Sequence, residues 1–306
     1  MKLALLETLD PIGAWLRRRG LSRIARLGRR GFQRLCGDSV SVSVDGLRLV
    51  GPIESRGDLI SLKRGTYDPH MIALFKRCVR PGMTVLDLGA QVGYFSLLAA
   101  QRVGKTGRVV SFEPDPRNYA VLCDNVRRNG FETIVQTHRT AVADRCGVAT
   151  FYMAGSSRSS SMLDRTDRER EGACRVETVS IDEVVDAGRV DVVKIDVEGA
   201  EPLTIAGMTR TLERNPDLLL FVEVNASALK AAGTSPASFV AGLCDRFRFV
   251  EAIDERNGRL ALVARGAPLE QFGPVFNVAC SSRGLARGGD SIREPEARPA
   301  ETGGGE

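Results

Sequence analysis

Short, almost wholly apolar runs recur along the middle of this chain, each followed by a segment of helical period, and that alternation constrains the fold more than any other feature. Residues 84–88, 109–112, 190–197 and 218–224 read as strands buried on both faces. Another strand falls within 133–142, and 149–153 is a further extended piece. Between them, 94–103, 117–129, 198–212 and 235–244 read as helices, and 71–79 carries apolar residues at helical spacing before Pro81-Gly82 stops it. Near the start, alternating residues 40–44 and 47–50 flank Asp45-Gly46 as a hairpin, and 247–253 pairs with 260–264 around Asn257-Gly258 to close the sheet. The expected class is α/β, with a mostly parallel sheet covered by helices on both sides. No internal repeat is present.

Charge is unevenly shared. The chain of 306 residues carries a formal +5, but residues 1–35 alone carry +7, which leaves −2 for the remaining 271. The body has no basic excess to hold a polyanion, and no nucleic-acid partner is expected. In the arm, Ile12, Trp15, Leu16, Ile24, Leu27, Phe32 and Leu35 interleave with arginines, a pattern that fits peripheral membrane contact or short helices packed beside the main domain. Gly13, Gly20, Gly28 and Gly31 break that pattern. No apolar run is longer than that at 218–222, too short to cross a bilayer, and Glu7 and Asp10 interrupt anything like a secretory signal. Seven scattered cysteines without a C-x-x-C pair fit a reducing, cytoplasmic setting. Two histidines make Ser-His-Asp chemistry and His-rich metal sites poor expectations.

Ligands of open parallel sheets bind beyond the carboxyl ends of the strands, where strand order reverses. Here that place is Val85-Leu-Asp87-Leu-Gly89-Ala-Gln91-Val-Gly93. Gly89 and Gly93 allow a tight turn and close approach of backbone to ligand, ahead of a helix start with unpaired N–H groups. A dinucleotide loop needs G-x-G-x-x-G to seat a pyrophosphate, whereas this one reads D-x-G-x-x-x-G. The carboxylate of Asp87 repels a diphosphate but suits a cation, and S-adenosylmethionine carries a sulfonium and an ammonium. Glu113, at the end of the second strand, is placed to accept hydrogen bonds from two ribose hydroxyls. Asp144, after the third, is placed to accept from an adenine amine, or is a solvated turn residue.

Lys194, Asp196 and Glu198 alternate along the fourth strand, which brings the two acids to its carboxyl edge beside the transferable methyl group. An alcohol ionises far above neutral pH, so a carboxylate that takes its proton assists attack on carbon. Asp196 and Glu198 are the candidates for that work, with Glu223 at the end of the fifth strand as the third. Positioning supplies much of the rate, because the donor is already activated. The same acids, joined by Asp182, also suit Mg²⁺; no metal ligand is assigned, and Mg²⁺ stays an open alternative. Glu201, before Pro202, reads as a helix-start residue. Residues 156–162 read either as a substrate lid or as a hydrophilic loop, and Tyr67 and Tyr94 as pocket lining or packing.

Gly65-Thr-Tyr-Asp68-Pro, the run Leu-Asp-Leu-Gly-Ala-Gln-Val-Gly-Tyr-Phe-Ser at 86–96, Phe112-Glu-Pro, the run Val-Lys-Ile-Asp-Val-Glu-Gly-Ala-Glu at 193–201, and Phe221-Val-Glu223 together resemble the FkbM-type methyltransferases over residues 64–265. The run at 193–201 is the most specific element. Gln91 stands where the family usually has Asn, and Asp68 where it often has Glu. The resemblance implies a class I methyltransferase (Rossmann-like) sandwich: a mostly parallel seven-stranded sheet with an antiparallel C-terminal strand. It also implies S-adenosylmethionine as donor, a contact from Gln91 to its methionine moiety, and O-methylation of a sugar, glycolipid or polyketide-type hydroxyl. The chain then divides into a basic arm (1–37), a short β accessory segment (38–65), the methyltransferase domain (66–270) and a disordered tail (281–306). A nucleic-acid or protein methyltransferase, an NAD-dependent oxidoreductase and a non-catalytic scaffold remain the rivals.

Overall fold

Asp45 and Gly46 both take positive φ, 53° and 77°, the geometry a two-residue hairpin turn demands. They join β1 (Ser39–Val44) to β2 (Leu47–Pro52), whose inward Val40, Val42, Leu47 and Leu49 are buried. The computed structural model describes residues 39–52, 55–154, 160–164, 170–185 and 188–285. The basic arm, expected to contact a membrane or pack beside the domain, and the tail beyond 285, expected to be disordered, lie outside the described residues.

The main sheet begins with β3 (Thr84–Leu88), β4 (Arg108–Phe112) and β5 (Val135–His138), then continues with β9 (Val192–Ile195), β10 (Leu219–Asn225), β11 (Phe249–Asp254), β12 (Arg259–Leu262) and β13 (Val275–Ser281). Their spatial order is β12-β11-β13-β10-β9-β3-β4-β5. The chain runs outward from β3 to β5, then returns to lay β9 on the other side of β3, so order reverses between β3 and β9. Strands β5, β4, β3, β9 and β10 are parallel, and β13 is antiparallel to both β10 and β11. The antiparallel C-terminal strand expected of the class is therefore β13, inserted between β10 and β11, and β12 is an additional edge strand beyond the expected seven. The sheet thus continues past residue 270, and Ser281 belongs to it. A second, three-stranded sheet contains β6 (Ala141–Val142), β7 (Gly147–Ala154) and β8 (Arg170–Val179) in the order β6-β8-β7.

Helices cover both faces. On one lie α1 (Arg56–Lys63), α2 (Pro69–Cys78), α3 (Tyr94–Val103) and α4 (Pro116–Arg128), with Phe75 packed edge-on against Phe95 at 5.2 Å and against Phe221 at 5.6 Å. On the other, Ile181 of the short α5 (Ile181–Val184), Ile205 of α6 (Glu201–Ala206), Met208 ahead of α7 (Thr209–Arg214), Leu229 of α8 (Ala226–Ala231) and Phe239 of α9 (Pro236–Cys244) pack on Leu86, Val193 and Leu220. The helix expected over 198–212 is thus two, parted at Gly207-Met208. Helix α4 starts where its sequence demands: Asp115 accepts from the Arg117 N–H at 2.9 Å, with Pro116 in the first position.

Helix α4 also completes the edge of the hairpin. Asn125 Oδ1 accepts from Val50 N–H (2.9 Å) while its Nδ2 donates to Val50 O (2.7 Å) and Val92 O (2.8 Å). One turn on, Asn129 repeats the exchange with Arg48 N–H and O. Two side-chain amides thus stand in for a neighbouring strand along β2.

Candidate active site

A cavity of about 710 Å³ opens at the carboxyl ends of the parallel strands, beside the reversal of strand order. Six of the nine residues expected to form the site reach it: Gly89, Gln91, Glu113, Asp196, Glu198 and Glu223. Of four non-glycine residues with positive φ among the described ones, three line it, Asp68 (36°), Gln91 (54°) and Glu198 (55°). Backbone strain of this kind persists where surrounding structure enforces it, and here it gathers at one place.

The loop after β3 depends on Gly89. Its φ is +83°, and a Cβ there would stand 1.8 Å from the backbone oxygen of Asp196, so any side chain would collide with main chain. Its backbone N–H donates to Phe112 O at 3.0 Å, which ties the loop to the end of β4. From that end Glu113 reaches under the loop: Oε2 accepts from Gln91 N–H (2.8 Å) and Oε1 from Asp115 N–H (2.9 Å). Burial pushes the Glu113 carboxyl up to about 7, against the pull of those two N–H donors. Past β5, Thr140 also lines the cavity, and its buried Oγ1 has no hydrogen-bond partner.

Asp87, Gly93 and Asp144, also expected at the site, do not line the cavity. Asp87 is 1% exposed and points to the α3 side of the sheet, where Oδ2 accepts from Ser96 Oγ at 2.6 Å and Oδ1 lies 3.6 Å from Lys194 Nζ. Strand alternation is the cause: Leu86 and Leu88 face the opposite core, so the residue between them faces α3. Gly93 precedes α3 as its N-cap residue. Asp144 lies 3.5 Å from its neighbour Arg145 beyond β6, while Thr140, Ala141 and Val142 supply the wall at that end. Tyr94 is likewise turned away, donating to Asp45 at 2.7 Å, whereas Tyr67 lines the cavity.

Strand β9 ends at Ile195, and the acids follow it. Lys194 is the buried cation beneath them, 3.6 Å from both Asp87 and Asp196, with Nζ donating to Gly89 O at 3.1 Å and lying over the Phe95 ring. Burial works against its charge, but Asp196, Asp87 and Glu223 outweigh burial and raise its pKa. Glu201 is fully buried at the start of α6, where Oε1 accepts from Val197 N–H and Gly199 N–H, both at 3.1 Å. It therefore shapes the turn that carries Glu198, and burial pushes its carboxyl up to about 7. Glu223 is raised well above the ordinary carboxylate range by burial first, then by Asp196, Glu198 and Glu201, with Lys194 opposing. Asp182 does not join these acids; it accepts from Arg210 N–H, Thr211 N–H and Thr211 Oγ1 at the start of α7. Among the described residues, no group of three or more His, Cys, Asp and Glu side chains is arranged to hold a metal ion.

The cavity's other wall comes from α1 and the loop to α2: Asp58, Ser61, Arg64, Tyr67 and Asp68. The loop is fixed from afar, since Glu255 accepts from His70 N–H (3.0 Å) and Met71 N–H (2.8 Å) at the first turn of α2. Ser160 and Met162 add to the wall, with Ser160 Oγ bonded to Asp115; the rest of the expected lid, 156–159, lies outside the described residues. Asp58, Arg64, Asn118, Thr140 and Asn225 were not among the expected site residues. For Asn118 there was a signal: it sits five residues beyond Glu113 on the first turn of α4, and its Nδ2 lies 3.4 Å from Glu113 Oε1.

Over 130 residues the chain is 28% identical to hexuronic acid methyltransferase AglP of Haloferax volcanii, covering 42% of this chain and 50% of that one. It is 45% identical over 62 residues to ribosomal RNA large subunit methyltransferase E of Lawsonia intracellularis, covering 18% of this chain and 31% of that one. The chain thus spans half or less of these relatives. Among solved structures, an S-adenosylmethionine-dependent O-methyltransferase of Thermotoga maritima superposes with a TM-score of 0.41 at 14% identity, covering 81% of this chain and 79% of that one. No helix among the described residues is long and apolar enough to cross a membrane. The methyltransferase FkbM domain matches residues 87–258, more than half of the chain, and the protein belongs to that family of S-adenosylmethionine-dependent methyltransferases.

Proposed function

We propose that this enzyme methylates a hydroxyl group on a sugar, glycolipid or polyketide-type small molecule. The observation that carries the reading is the division of one cavity: Gly89, Gln91, Glu113 and Thr140 at one end, Asp196, Glu198 and Glu223 at the other. The residues of the first end fit the donor. Gly89 lets the loop after β3 pack directly on the main chain of Asp196, Glu113 offers carboxylate oxygens to ribose hydroxyls, and the unpartnered Thr140 hydroxyl is available to a base. When bound, S-adenosylmethionine supplies an electrophilic methyl group.

The acids divide the remaining work. Asp196 is held by Lys194. Glu223, whose carboxyl burial holds well above the usual range, takes up a proton more readily than an ordinary carboxylate and in that form donates a hydrogen bond. Glu198, on its strained turn, takes the proton of the acceptor hydroxyl. A carbohydrate acceptor is supported by the hexuronic acid methyltransferase among the relatives.

The test incubates the full chain with methyl-labelled donor and an extract of glycolipids and small metabolites. Labelled product is expected, and Glu198→Gln should lower kcat by roughly 10²–10⁴ with donor affinity kept. Failure to bind S-adenosylhomocysteine in calorimetry, or label in no product, rejects the reading.

A further inference from the structure

Between β7 and β8, residues 160–163 form a strap against the cavity, and Ser161 pins it to β7 by exchanging backbone bonds with Tyr152 at 2.8 and 3.0 Å. Ser160 and Ser161 are both buried, and each hydroxyl has its direction fixed by its partners, since an N–H can only donate and a carbonyl or carboxylate oxygen can only accept. Ser160 Oγ accepts from Ala154 N–H at 3.1 Å and donates to Asp115 Oδ2 at 3.2 Å. Ser161 Oγ accepts from Leu163 N–H at 3.0 Å and donates to the backbone oxygen of Glu198 at 2.8 Å. Two adjacent hydroxyls therefore grip opposite ends of the cavity: Asp115 is bonded through its N–H to Glu113, and Glu198 stands among the acids after β9.

We propose that Ser161 is a positioning residue for Glu198: by holding the carbonyl of a residue kept at φ +55°, it fixes the direction in which the Glu198 carboxylate leaves the turn. This rests on the reading of Glu198 as the group that takes the acceptor's proton. A non-glycine residue at positive φ persists only where its surroundings enforce it. Glu201 holds the N–H groups on either side of Glu198, and Ser161 holds its carbonyl. The strap seats the turn sterically as well, for a Cβ on Gly199 would stand 2.6 Å from Leu163 Cδ1. Ser161 does not line the cavity itself, so its influence on the chemistry passes through the Glu198 turn. Without its hydroxyl the Glu198 carbonyl is free to rotate, and a displacement of the carboxylate by about 1 Å is enough to cost much of its work.

The experiment compares the full-length parent with Ser161→Ala, Glu198→Gln and the double variant. Each is measured by calorimetry with S-adenosylhomocysteine, and by the initial rate of label transfer from methyl-labelled donor to a fixed amount of the extract of glycolipids and small metabolites. Ser161→Ala should keep its affinity for S-adenosylhomocysteine while its rate falls by about tenfold to a hundredfold. On the Glu198→Gln background the same change should cost less than about twofold, because a group that acts through another loses its effect once that other is gone. An equal loss in both backgrounds, or an unchanged rate in Ser161→Ala, overturns the inference while leaving the role of Glu198 intact. Weakened S-adenosylhomocysteine binding in Ser161→Ala means a general loosening of the strap and overturns it too. Glu198→Gln at the parent's rate, or label in no product of the parent, instead rejects the reading beneath it, and the inference falls with that reading.

Discussion

Glu113 and Glu201 are buried carboxyls pushed up to about 7 from an ordinary 4.5, by desolvation in both cases. Between those values the folded chain holds protons that the unfolded chain has lost, so their contribution to stability falls as pH rises through that window. Glu201→Gln keeps an oxygen for the Val197 and Gly199 N–H groups but cannot ionise. Its Tm should therefore drop less between pH 5 and pH 8 than that of the parent; parallel Tm profiles would contradict the burial argument. The same scale shows what the sequence could and could not say. Glu113 and the acids after β9 were legible because a strand end and a side-chain type suffice to place them. Asp87 was not, since the chemistry of its carboxylate was read without asking which face of β3 it leaves by. Its counter-charge comes from Lys194, more than a hundred residues away along the chain, and no local pattern announces that pair.

Elements repeat that lesson. Strands buried on both faces, β3, β4, β9 and β10, were plain from their apolar runs. Strand β13 was not, because Val-Phe-Asn-Val-Ala-Cys-Ser contains Asn277, follows Gly273-Pro274 and precedes a tail of low complexity. Strand β8 was missed for a related reason: Arg175 and Glu177 alternate with Cys174 and Val176 in a half-exposed layer. The hairpin was legible from Asp45-Gly46, but its anchorage on α4 was not, since an asparagine in a helix carries no mark of a distant strand. Asn125 is fully buried and makes three bonds to the backbone of Val50 and Val92. Asn125→Ala leaves those groups unmet, at a cost of about 1–3 kcal/mol each where water cannot reach. Chemical denaturation should show that loss, and hydrogen exchange at Val50 should quicken before exchange in β3. Unchanged stability would mean the hairpin is held by its apolar face alone.

For the whole molecule, the order of the strands decides where chemistry can occur. Because the chain departs from β3 in one direction and returns at β9 in the other, the cavity forms between loops that are far apart in sequence and adjacent in space. A ligand seated there holds both halves of the sheet together. S-adenosylhomocysteine at a hundredfold excess over its Kd should stabilise the fold by about 2.7 kcal/mol. Absence of any upward shift in Tm at that occupancy would place the donor elsewhere. Charge divides along the sequence instead, with +7 on residues 1–35 and −2 on all that follows.

Gly89 lies so close to the carbonyl of Asp196 that no atom could be inserted between the two main chains. On the proposed reading, the turn beside the donor and the turn that carries Glu198 thus behave as a single hinge leaf. Whatever tightens around the first partner also sets the posture in which the second is received.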